Sequence, residues 1–64
     1  MSPHQERVVA ERAELHEKIT KLHQFMDGDV FAGLQLLDQN LLRRQLGWMS
    51  GYEYALDDRI RRFT

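Results

Sequence analysis

The sequence predicts an all-α fold: an antiparallel two-helix hairpin with a short connecting helical turn, assembling as a homo-oligomer. Three observations predict it. Apolar residues recur at helical spacing in two long stretches divided by one glycine-bearing corner. The second stretch carries apolar or aromatic residues on two of its sides. The chain has 64 residues and no cysteine, so it is a single domain, residues 1–64, of a size that commonly needs a disulfide, a metal or self-association to be stable. With no disulfide available and no Cys/His cluster for zinc, self-association is the remaining route.

The first helix opens at Ser2 and Pro3, serine as N-cap and proline at the first helical position. Gln5 and Glu6 follow where a capping box places its acceptor. From Val8 the series Val8, Leu15, Ile19, Leu22, Met26 steps by three, four or seven, a coiled-coil-like stripe interrupted at Arg12. Glu14 and Lys18, and Glu17 and Lys21, sit four apart in the favourable order. Asp27, Gly28 and Asp29 end this helix, with Gly28 able to take a left-handed cap conformation. Asp29 can cap a short turn over residues 30–34, whose Phe31 and Leu34 fold back over the end of the hairpin. Asp38 reads as the N-cap of the second long helix, which runs to about Phe63.

The core seam of that helix is Leu42, Leu46, Met49, Leu56, Ile60 and Phe63. In a closed hairpin Leu22 and Met26 meet Leu42, Leu46 and Met49, Leu15 meets Leu56, and Val8 meets Ile60 and Phe63. Two helices bury only one stripe on each other. Val9, Phe25, Leu36, Leu37, Leu41, Trp48, Tyr52 and Tyr54 are left without a partner, which calls for a second subunit, a ligand or both.

The candidate site lies on the second side. Arg44, Trp48 and Tyr52 recur every fourth residue and share a helical face, with Gly47, Gly51 and Ala55 as a side-chain-poor strip beside them. An aromatic plane can stack on a purine, an arginine can fork onto a phosphate, and a glycine lets a flat ligand approach the backbone. Arg43 and Arg59 add charge from the flanks. The same mixture of Trp, Tyr and Arg is also the composition of protein interface hot spots, so a helix–helix interface stands as the alternative. A glycine inside a helix costs about 1 kcal/mol relative to alanine, and two in register point to the close approach of something under either reading.

Other chemistries have little support. A formal charge of -1 argues against a nucleic-acid binder, and Arg59, Arg61 and Arg62 suit a helix C-terminus on dipole grounds alone. No apolar run spans a bilayer and no signal peptide opens the chain, so the cytosol is the expected compartment. His16, His23 and Asp27 share a face but lack a metal-site pattern, and no metal or cofactor is expected. No catalytic residue is expected either: Ser50 has no nearby histidine, and Asp57 and Asp58 diverge as helix neighbours.

Residues 7–22, then Phe25, then residues 41–46 with Met49, Tyr52, Leu56, Arg59, Ile60 and Phe63, resemble small hypothetical proteins of tailed-phage genomes. In size and architecture the chain is also similar to phage immune-evasion sponges, small helical oligomers that capture cyclic nucleotide or cyclic ADP-ribose-type signals. That resemblance implies a non-enzymatic protein of the host cytosol that binds a cyclic nucleotide without cleaving it. In this role Trp48 and Tyr52 stack on bases, Arg44 with Arg43 or Arg59 meets phosphates, and Gly47 and Gly51 admit the ligand. The alternative is an interaction or structural accessory module docking through the Arg44/Trp48/Tyr52 face.

Overall fold

A computed structural model describes residues 1–63, which form three helices: α1 (Pro3–Met26), α2 (Asp29–Ala32) and α3 (Leu36–Arg61). The opening of α1 follows the sequence. The Gln5 backbone N–H donates to Ser2 Oγ (3.2 Å) and the Ser2 N–H donates to Gln5 Oε1 (3.1 Å), a reciprocal cap that satisfies donors the first turn leaves orphaned.

The two long helices pack with their contacts in opposite order along the chain, since Arg12 meets Asp57 and His16 meets Glu53. Val8, Leu15, Ile19 and Leu56 form the buried seam, with Leu46, Met49, Ile60 and Phe63 packed against it. Among the described residues Leu56 alone is fully enclosed, at 0% exposure. Arg12, which breaks the apolar stripe of α1, sits at the edge of this seam. Its Nε–H donates to Asp57 Oδ1 (2.8 Å) and its Nη2 lies 4.0 Å from Glu53 Oε2. The hydrogen bond to Asp57 raises the guanidinium further above its ordinary pKa. A raised folded-state pKa contributes stability fully present below the unfolded value and lost only above the folded one, so the guanidinium does not discharge at the alkaline end of any working range. One turn on, His16 Nδ1–H donates to Glu53 Oε2 (2.7 Å).

The corner differs from the sequence expectation in two places. Gly28 is not left-handed: its φ is -98° and ψ 174°, extended backbone that serves as the N-cap of α2 without a side-chain cap, and none of the described residues has positive φ. Asp29 is therefore the first residue of α2 rather than its cap. Asp38 is not a cap either. α3 begins at Leu36 with Gln35 as N-cap, because Gln39 reaches back and its Nε2 donates to the carbonyls of Phe31 (2.9 Å) and Ala32 (3.4 Å). The Phe31 carbonyl also accepts from the Leu34 N–H (3.1 Å), and the bonds from Gln39 complete the end of α2, so docking α2 onto α3 outweighs a side-chain cap. Asp38 instead lies in the first turn of α3, where the helix dipole favours a negative charge. Phe31 is buried under the corner and meets Phe25 edge to face, ring centroids 6.4 Å apart. At the far end α3 stops at Arg61, with Arg62 as C-cap.

The molecule measures 46 × 15 × 13 Å with a radius of gyration of 14.7 Å. A compact domain of this length has a radius of about 11 Å. Its accessible surface is 5028 Å², whereas a globular monomer of 7.6 kDa exposes roughly 4300 Å². A single chain is thus a rod with roughly 700 Å² of surplus surface.

Candidate functional site

Of the seven residues the sequence marks, six share one side of α3 and one lies on the other. At about 100° per residue, Arg44, Gly47 and Gly51 face away from Leu46, Met49 and Leu56, while Trp48, Arg59 and Tyr52 run down the adjoining flank, Tyr52 within about 40° of Leu56. All six are exposed, Trp48 at 75% and Tyr52 at 45%. A tryptophan this exposed leaves most of its ring in water, an unfavourable placement for so large an apolar surface. Leu37 and Leu41, also exposed, extend the same strip toward the corner.

Arg43 stands apart. Its guanidinium lies over the Phe31 ring, 5.3 Å from the centroid, and its Nη1–H donates to Asn40 Oδ1 (3.0 Å). This arginine braces the corner by a cation–π contact and is not beside the aromatics. Arg44, by contrast, makes no hydrogen bond or ion pair among the described residues, so its donors are free for an anion.

The glycines are open. A Cβ built on Gly47 or on Gly51 meets nothing within 4 Å, so neither is required by packing inside the chain. Two in-register glycines in the middle of a long helix weaken it by roughly 2 kcal/mol in total, with no return within one copy. No enclosed cavity exists among the described residues.

Three of the polar groups that sequence spacing offered for other chemistry are otherwise engaged. His16 is bonded to Glu53, Asp57 to Arg12, and Asp58 to Arg61. The cross-helix set Arg12, His16, Glu53 and Asp57 was the feature sequence reasoning missed. Its signal is present, because the two basic side chains are four apart on α1 and the two acidic ones four apart on α3, each pair on one helical face.

These features define an all-helical protein whose chemistry-bearing residues form an open, aromatic and cationic face on one helix. Among the described residues no helix is long and apolar enough to cross a membrane. The model of the Sequestin family matches residues 2–62, nearly the whole chain, and the protein belongs to that family. Neither the curated proteins nor the solved structures contain a match to it.

Proposed function

We propose that this protein is a phage-encoded sponge: a helical hairpin that self-associates and sequesters a cyclic nucleotide immune signal of its host without cleaving it. The observation that carries the reading is the outer face of α3, where an exposed Trp48 and Tyr52 stand beside backbone left bare at Gly47 and Gly51. Stacking on such a ring contributes about 1–3 kcal/mol per base. Arg59 supplies a phosphate contact from the same side, Arg44 has free donors for an anion or for a neighbouring subunit, and Arg43 is reserved for the corner. The family's name, Sequestin, agrees with capture of a ligand.

A single copy has no enclosed cavity among its described residues, and an open face alone cannot hold a small molecule tightly, since ligand sites normally bury most of their guest. Self-association supplies the walls. The surplus surface of roughly 700 Å² per chain is close to the roughly 800 Å² that each partner buries in a standard interface. Capture works by lowering free ligand, so it requires tight stoichiometric binding and slow release rather than turnover.

Titration calorimetry against a panel of cyclic dinucleotides, cyclic trinucleotides and cyclic ADP-ribose isomers tests the reading. The expected result is micromolar or tighter binding of at least one compound, recovered unaltered by chromatography. New products after incubation would make the protein an enzyme. Silence across the panel would favour docking of a protein on the same face.

A further inference from the structure

The outer face of α3 has the same order of shapes, and opposite charges, when read from either end. With Gly51 as the centre, Gly47 and Ala55 lie four residues to either side, and Arg44 and Asp58 lie seven residues to either side. At about 100° per residue these five positions fall in one band about 80° wide, and all five are exposed. The order along the band is cation, small, small, small, anion.

We propose that α3 pairs with α3 of a second copy in antiparallel fashion, across a two-fold axis at Gly51. In that register each Arg44 faces Asp58 of the other copy, and each Gly47 faces Ala55. A two-fold interface is self-complementary, so the one match occurs twice. A parallel pairing in register would instead set arginine against arginine and aspartate against aspartate. Arg44 has no ionic partner in its own chain among the described residues, and Asp58 is engaged only by Arg61 in an exposed pair one turn away. Exposed pairs of that kind contribute little, and a carboxylate has acceptor sites for a second arginine. The three small residues let the two backbones approach, which gives a physical reason for glycines that nothing in a single chain requires.

This pairing deepens the proposed self-association and does not depend on which ligand is captured. Trp48, Tyr52 and Arg59 lie along one edge of the band, and Arg43 along the other. A two-fold axis perpendicular to both helices keeps like edges together, so both copies of Trp48 and Tyr52 gather in one cleft beside the axis, with one Arg59 about 12 Å out at each end. Arg44 becomes a subunit contact, and Arg59 becomes the arginine placed beside the aromatics for an anionic guest.

The test is the association of the full ligand-free chain by sedimentation equilibrium, with circular dichroism as the control for helicity. Arg44→Asp and Asp58→Arg should each weaken association about tenfold or more, and the double exchange should restore it to near wild type. Single variants that associate like wild type, or a double variant as weak as the singles, would overturn the pairing. A second measurement stands even if the charge variants lose helicity. The chain has no cysteine, so Gly51→Cys should oxidise to a disulfide-linked dimer, whereas Gly47→Cys should not, its two copies lying about 12 Å apart along the helices. Equal cross-linking at both positions, or at neither, would also overturn it. Calorimetry on the wild-type chain separates the two readings: rescue by the double exchange with no nucleotide binding by wild type removes only the capture role, and nucleotide binding by wild type without rescue in the double exchange removes only this interface.

Discussion

Replacing Gly47 and Gly51 together with alanine should make the dilute chain more stable and the concentrated chain less able to associate. Neither new methyl group meets any atom within 4 Å in a single copy, so the substitution acts there through helix propensity alone, about 1 kcal/mol for each position. Unfolding entropy near 2.1 cal/mol/K per residue gives roughly 0.13 kcal/mol/K for a chain of 64 residues. The double variant should therefore melt about 15 °C higher than wild type at concentrations where both are monomeric. In the assembled state the sign turns, because the added methyl groups occupy the surface across which a second backbone approaches. Thermal melts followed by circular dichroism across a hundredfold range of concentration measure both effects at once. Wild type should gain stability on concentration by mass action, and the variant should gain little. A variant that melts higher than wild type by the same margin at every concentration would show that nothing approaches these glycines, and would refute the reasoning. A variant with no gain when dilute would contradict the open surroundings of the two positions.

Leu56→Ala removes the side chain that alone among the described residues is fully enclosed and should cost about 3 kcal/mol; since a chain of this size holds roughly 3–10 kcal/mol in all, denaturant titration should find the dilute variant stripped of roughly a third or more of its stability. Trp48→Ala should abolish the heat of nucleotide binding while leaving helicity near wild type, because its ring is mostly in water; loss of association alone would place the ring in a subunit contact instead. Arg12→Met keeps the apolar stem against the seam and removes the contacts to Asp57 and Glu53. Melting of wild type should fall as salt screens those contacts, and the variant should show a flatter salt dependence, read by melts from low to high ionic strength.

The long helices were legible because capping and periodicity agree: Ser2, Pro3 and Gln5 announce α1, and the Val8, Leu15, Ile19 stripe meets Leu56 as its spacing implies. The corner was legible only in outline. Asp38 has the chemistry of a cap, yet Gln39 decides where α3 begins by bonding the carbonyls of Phe31 and Ala32, a contact between elements that no local pattern encodes. Arg12 looked like a flaw in a stripe because its partners lie on the other helix. Arg43 and Arg44 are neighbours in sequence and equal in chemistry, and only the fold sends one over Phe31 and leaves the other free. The outer face of α3 could be named from spacing, since a helix fixes which residues share a side. Its occupant could not, because aromatic and small residues serve a ligand and a neighbouring helix equally well.

The corner glycines have a consequence for how this fold can drift. Gly28 and Gly33 both hold backbone angles open to ordinary residues, at φ -98° and -86°, and a Cβ on Gly28 would come no nearer than 3.4 Å to the Phe25 carbonyl. A descendant could exchange either for serine or asparagine and keep the bend. Gly47 and Gly51 are the reverse case, dispensable to a solitary molecule and informative about its company. Distant kin would be found by a small residue in the middle of the last helix, and a template built on the bend would overlook them.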